Sequence, residues 1–178
     1  MGPIGPILSL ALGTGALYAL TWTDAVQAAD SGEMIAAACN LGVPHPPGYP
    51  LYVLLGHGFC GLPLSTPAGR VGLLSLTSAV AAVLLVYAVV ARLTANRSAA
   101  AVAALTLATG ATFWRYASLA EVFALNAALS LAVVYVSLRA SDAGTPRAHL
   151  VWSAAVGLAA GLALTNHHSS VLIMPLAA

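Results

Sequence analysis

The sequence predicts an all-α protein, a polytopic transmembrane helical bundle. Three observations lead there. Of its 178 residues 60% are hydrophobic and only 6% charged, with a mean hydropathy of +0.92, against about a quarter charged in soluble domains. The apolar residues fall in runs close to the roughly 20 that a helix needs to cross a hydrocarbon core. The charged residues stand at the ends of those runs. A net charge of +1, with all six basic residues arginine, leaves no clustered basic face for a nucleic-acid partner.

The first apolar run, residues 4–22, is expected to be a spanning helix, since no basic leader or small-residue cleavage site marks it as removable. A polar stretch follows at 30–50, with two of the five acids, one histidine and four prolines. Unpaired charge and open backbone are costly in hydrocarbon, so this stretch belongs at the mouth of the membrane domain. Asp30 and Glu33 have capping-box spacing, which predicts a short helix over 31–41 stopped by Gly42. Pro44 turns Val43 out of the helical region, and Pro46-Pro47-Gly48-Tyr49-Pro50 fixes a stiff, turned segment.

Residues 51–62 are apolar but too few to span, and are interrupted by Gly56, His57 and Gly58; they read as an interfacial or re-entrant helix. Further spanning helices are expected at 71–91, 99–113, 121–138 and 149–165, which makes five in all. The third meets Trp114-Arg115-Tyr116, an aromatic-plus-cation pattern of the membrane interface. Residues 171–178 are too short to span and read as a truncated sixth, so the chain is expected to be a single membrane domain, the N-terminal fragment of a longer protein. Cys39 and Cys60 would pair where both face an oxidising compartment, but two cysteines define no disulfide framework, and the pairing stays open.

Threading these spans alternately puts Arg92, Arg97, Arg139 and Arg147 on one side and Arg70 and Arg115 on the other. The four-arginine side is then cytoplasmic, as is the N-terminus. Asp24, Asp30, Glu33, His45, Arg115, Glu121, His167 and His168 fall together at the extracytoplasmic face, and Asp142 alone among the acids lies inside. Three polar motifs far apart in sequence thus converge on one end of one bundle.

Four blocks carry a resemblance. Asp30-Ser-Gly-Glu33, His45-Pro-Pro-Gly-Tyr-Pro50, Ala120-Glu-Val-Phe-Ala-Leu-Asn126 and Gly161-Leu-Ala-Leu-Thr-Asn-His-His168 resemble the start of a family of multi-spanning proteins long catalogued as a domain of unknown function. That family includes a transmembrane protein O-mannosyltransferase of animals and belongs with the GT-C superfamily. Phe123 stands where Tyr is expected as often. The resemblance implies a membrane glycosyltransferase, expected in a bacterial inner membrane, that moves a sugar from a polyprenyl-phosphate-linked donor to a hydroxyl of a protein or glycan at the extracytoplasmic face, without metal or cofactor.

Such a transfer needs a carboxylate to take the hydroxyl proton and cations to stabilise the departing phosphate. Asp30 and Glu33, in the first extracytoplasmic loop, are the candidate catalytic acids, and Glu121 is a second-loop acid. Arg115, His167 and His168 are candidate phosphate partners; His45, Tyr49 and Asn126 complete the expected substrate-binding set. Structural roles compete with each. Asp30, Glu33 and Glu121 have positions suited to helix capping, Arg115 to snorkelling, His45 to bracing the proline loop, and Tyr49 either to stacking on a sugar or to filling the loop. His167 and His168, if helical, would point about 100° apart and not share a ligand. A transporter would place ionisable groups near the bilayer midplane, whereas here they cluster at helix ends. A membrane metalloprotein would be expected to show a closely spaced ligand pair, and none is present. A purely structural subunit would not need the stiff acidic loop.

Overall fold

The computed structural model describes residues 4–176 and is helical throughout, with no strand among those residues. The helices are α1 (Ile4–Ala19), α2 (Ser31–Asn40), α3 (Pro50–Cys60), α4 (Pro67–Thr94), α5 (Arg97–Thr109), α6 (Ala111–Ser118), α7 (Val122–Ser141) and α8 (Pro146–Asn166), followed by a 3-10 segment, His168–Leu176. Residues 177 and 178, the end of the expected truncated helix, lie outside the described residues. By length and composition α4, α7 and α8 are long and apolar enough to cross a membrane. At 1.5 Å per residue they run about 42, 30 and 32 Å.

Two of the three long helices, α4 and α8, start at a side-chain cap. Thr66 accepts the Gly69 N–H with Pro67 in the first turn of α4, and Thr145 accepts the Ala148 N–H with Pro146 in the first turn of α8. Asn96 caps α5 by accepting the N–H groups of Ser98 and Ala99.

α4 is the hub. Its small residues Gly69, Gly72, Ser75, Ser78, Ala79 and Ala82 are buried, which lets neighbouring helices approach closely. Trp22 lies across this strip, donating from its indole to the Gly69 carbonyl at 3.1 Å, where a Cβ on Gly69 would sit 2.9 Å from the indole. α7 packs alongside α4, and α8 returns antiparallel to α7: Asn166 donates to the Val122 carbonyl at one end, and His149 faces the Ala140 carbonyl at the other. Arg92 pairs with Asp142 at the end where Arg139 also lies over Trp152, 4.5 Å from the ring centroid. The four arginines assigned to one side of the membrane therefore share one end of the bundle.

The expected third span differs. The helix that starts at Arg97 stops after 13 residues, about 20 Å, and resumes as the short α6 beyond Gly110, whose extended backbone (φ −63°, ψ 121°) breaks the hydrogen-bond ladder. Tyr18 ties this break to α1, donating to the Ala108 carbonyl at 3.1 Å.

α2 and α3 form a hairpin laid on the other end of the bundle. Met34, Ile35, Ala38 and Tyr52 from the hairpin bury against Val71 and Leu74 of α4 and Val122 and Leu125 of α7. The two helices touch at Gly56, where a Cβ would lie 2.8 Å from that of Ala38. Gly56, His57 and Gly58 thus do not break α3, and Gly56 lets it pack against α2. His57 bonds the Ala38 carbonyl at 3.0 Å, and Cys39 and Cys60 are joined by a disulfide with Cα atoms 5.4 Å apart.

Candidate functional site

The bundle end that carries the hairpin gathers the loop acids. The capping box expected of Asp30 and Glu33 is not formed. Asp30 makes no side-chain cap bond, and its backbone (φ −85°, ψ 3°) lies away from the extended region typical of an N-cap. Glu33 instead crosses to the proline loop. Its Oε1 accepts the His45 backbone N–H at 2.7 Å and its Oε2 meets His45 Nδ1 at 2.7 Å. A three-residue spacing serves either arrangement, and the loop supplies the stronger, charge-assisted partner.

α2 ends one residue earlier than the sequence suggests, at Asn40, with Leu41 rather than Gly42 in the left-handed conformation (φ 51°). The chain then turns through Pro44, half-buried His45 and a cis Pro46–Pro47 bond to Gly48 (φ 90°) and Tyr49 (φ 44°). A left-handed backbone is unfavourable for an aromatic residue, and strain of this kind gathers at functional sites. Here it places Tyr49 Oη 3.0 Å from His45 Nε2.

The other face of His45 looks at Asp30, with Nε2 4.0 Å from Oδ2. Asp30 is anchored by its main chain, since its N–H donates to Glu121 Oε1 at 3.0 Å. Glu121 occupies the N-cap position of α7 but does not cap it; its carboxylate, 2% exposed, turns toward the start of α2. Ser75 holds it there, donating to the Glu121 carbonyl at 3.2 Å.

These contacts set the charges. The side-chain hydrogen bond with His45 holds the Glu33 carboxyl below the usual carboxylate range, and the same bond lifts the His45 imidazole above its ordinary value. Burial pushes Glu121 up, with the nearby Asp30 charge adding to it. Burial also raises the Tyr49 phenol, and the surrounding acids reinforce it.

His167 and His168 lie past α8, as the expected end of that span at 165 implies, so the separation of about 100° does not apply. α8 ends at Asn166, His167 is extended (φ −154°, ψ 129°), and the two rings stack at 4.9 Å and 17°. His167 Nδ1 accepts the Ser169 backbone N–H at 3.1 Å, so a neutral ring carries its proton on Nε2. Burial, and then His168, lowers its pKa. His167 therefore presents a donor rather than a cation. Its ring lies 5.7 Å from Tyr49 and 6.0 Å from Phe123, and Phe123 lies 4.6 Å from Tyr116. An aromatic wall thus runs from the acid cluster to α6. Phe123 is 42% exposed, two residues after Glu121, and that spacing is the signal by which the sequence could have flagged it.

Asn126 accepts the Ser170 hydroxyl at 2.7 Å and ties α7 to the 3-10 segment. Arg115 stands apart from the acids. It is exposed, makes no ion pair among the described residues, and lines a cavity of about 530 Å³ with Thr21, Thr23, Gln27, Trp114 and Ser118. Ala28, two residues before Asp30, closes that cavity on the loop side. Asp30, Glu33 and His45 each offer one ligand atom within 4.8 Å of the others, a geometry able to hold a metal ion. Glu33 occupies His45 Nδ1, which leaves Nε2 as the nitrogen that faces Asp30.

The comparisons with known proteins agree on one family. A family model described as the protein O-mannosyl-transferase TMEM260 N-terminal domain matches residues 30–178. A mouse protein named protein O-mannosyl-transferase TMEM260 is 37% identical over 159 residues, which cover 88% of this chain and 22% of that protein. A Dictyostelium discoideum protein of the same name is 29% identical over 185 residues, covering 96% and 22%. The chain thus spans about a fifth of the length of these curated relatives. No solved structure matches it.

Proposed function

The chain belongs to the family of the protein O-mannosyl-transferase TMEM260 N-terminal domain, and from that membership and the geometry of the loop acids we propose that it carries the catalytic acid of a membrane glycosyltransferase. The donor is a polyprenyl-phosphate-linked sugar, mannose by the name of the relatives, and the acceptor is a hydroxyl of a protein or glycan. The reaction takes place at the extracytoplasmic face.

Asp30 is the general base. The acceptor hydroxyl gives its proton to the Asp30 carboxylate, its oxygen forms the new bond to the anomeric carbon, and the bond from that carbon to phosphate oxygen breaks. The polyprenyl phosphate leaves with the electron pair. Arg115 compensates the charge that develops on it, and the His167 Nε2–H adds a neutral donor.

One observation carries this reading. Asp30 has its backbone fixed by the buried Glu121, while its own side chain is 59% exposed, makes no side-chain hydrogen bond among the described residues and meets only His45 Nε2, at 4.0 Å. A carboxylate placed by its main chain and still open to solvent suits a base that must reach a substrate. The test is transfer of labelled mannose from polyprenyl phosphate to a hydroxyl-bearing peptide by the purified full-length protein in detergent. Transfer is expected with that donor and not with a nucleotide-linked sugar. Transfer from the nucleotide-linked sugar alone would overturn the donor assignment.

A further inference from the structure

His45 has no role in the reaction just described, yet it is the most constrained side chain of the loop. Glu33 grips it twice, by backbone N–H and by ring Nδ1, both at 2.7 Å. The ring can therefore turn neither about its own axis nor with its peptide. Its second nitrogen is aimed between Tyr49 Oη, at 3.0 Å, and Asp30 Oδ2, at 4.0 Å. Tyr49, in turn, is held in a left-handed conformation at the head of α3 to meet it.

We propose that His45, oriented by Glu33, is the positioning residue of the site: as an imidazolium it presents Nε2–H to the Asp30 carboxylate and to Tyr49, fixing where the base points and which way the phenol donates. This rests on the reading of Asp30 as base. With His45 neutral, Nδ1–H faces Glu33 and Nε2 must accept the Tyr49 O–H, so the phenol turns inward. With His45 charged, Nε2–H donates to Tyr49 Oη and the Tyr49 proton is released toward the substrate side. One proton on one ring thus sets two neighbours.

The groups that face His45 favour its charged form. Glu33 comes from α2, Asp30 from the segment before it, and Glu121 from the head of α7, all acids; Tyr49, with the tilted His167 ring 5.7 Å beyond it, completes the surround. Metal ligation through Nε2 would leave the Glu33 bonds in place but displace the Tyr49 contact at 3.0 Å and remove the Nε2–H.

The experiment compares wild type, Glu33→Gln and His45→Gln in the full-length protein, by the pH dependence of kcat and KM for sugar transfer and by ¹³C NMR of labelled histidine. In the wild type the alkaline limb of kcat should coincide with the His45 titration. In Glu33→Gln both should move together to lower pH. In His45→Gln that limb should vanish, with kcat reduced at least about fivefold, the equivalent of a unit-charge pair 4 Å apart screened by water, and KM little changed.

A merely structural His45 would lower stability without moving the limb. An active wild type whose alkaline limb is unmoved in Glu33→Gln overturns the proposal and leaves the base assignment standing. An inactive wild type overturns both. Activity lost on EDTA treatment and restored by Mg²⁺ or Mn²⁺ would also overturn it, by giving the three groups to a cation.

Discussion

The Glu121 carboxylate accepts the backbone N–H of Asp30 at 3.0 Å across 91 residues of sequence, and so ties the head of α7 to the head of α2. This bond fixes the start of α2 to the helical bundle. Glu121→Ala leaves the Asp30 N–H without its acceptor and should destabilise the protein by roughly 1–3 kcal/mol, the usual scale for an orphaned polar group. Glu121→Gln keeps an acceptor oxygen and removes a buried charge. Because burial raises the Glu121 pKa, its favourable contribution is full below the ordinary carboxylate value and is lost as pH rises through the raised one. The stability of Glu121→Gln relative to wild type should therefore grow with pH through that window. Thermal unfolding in detergent at several pH values measures it, and a constant difference would contradict the assignment.

The disulfide between Cys39 and Cys60 closes the loop that contains His45 and Tyr49, with a sequence separation of 21. On the chain-entropy scale a loop of this size contributes roughly 3 kcal/mol. Cys39→Ser with Cys60→Ser should lower the melting temperature and loosen the Glu33–His45 contact, seen as faster proteolysis in the loop. Disulfides persist in oxidising compartments, so the bond also argues that the hairpin faces away from the cytoplasm. Reactive thiols in the denatured, unreduced wild type would show that the bond does not form.

Topology can be tested against that background because both native cysteines are bonded. Ala28 is exposed beside the loop, while Ser98 and Ser141 are exposed at the arginine end. A cysteine at Ala28 should react with an impermeant maleimide from outside, and cysteines at Ser98 or Ser141 only after the membrane is opened. The reverse pattern would put the acids in the cytoplasm and remove the proposed site.

Helical class, loop positions and the gathering of acids at one bundle end were legible because hydropathy and capping chemistry are local. The proline loop turns where its prolines stand, whereas α4 and α8 begin at Thr-Pro pairs four and three residues ahead of the expected 71 and 149. Partner choice was not legible. Glu33 has the same spacing whether it caps α2 or reaches His45, and only the fold brings the loop within 2.7 Å. The end of the last span near 165 was legible, but the stacking of His167 on His168 beyond it was not, and the break at Gly110 rests on a backbone angle that apolar periodicity does not encode. The buried Glu121 looked like a cap because its sequence position is a cap; its side chain is turned by Asp30.

Arg115 lies in the wall of the cavity of about 530 Å³ that Ala28 also lines. It makes no ion pair among the described residues and stands next to Trp114, so the proposed function gives it the donor phosphate. Arg115→Gln should raise KM for the polyprenyl-phosphate donor about tenfold, and Arg115→Lys should recover only part of the loss because the planar guanidinium fork is gone. Steady-state kinetics with varied donor measure this. Unchanged donor kinetics in Arg115→Gln would reduce the residue to an interface anchor.

Asp30 gives the sharpest test, because its structural task belongs to its main chain. The N–H bond to Glu121 survives any side-chain substitution, and the carboxylate caps nothing. Asp30→Asn should therefore keep the melting temperature of the wild type while the rate of transfer falls by about 10² to 10⁴, the usual range for loss of a general base. Glu33→Gln is the comparison: its amide oxygen still accepts the His45 N–H, so its loss should be smaller and greatest on the alkaline side. Transfer rate from a polyprenyl-phosphate sugar, measured with the melting temperature of each variant, separates the cases. Full activity in Asp30→Asn would remove Asp30 as the base, and a deeper loss in Glu33→Gln at every pH would move that role to Glu33.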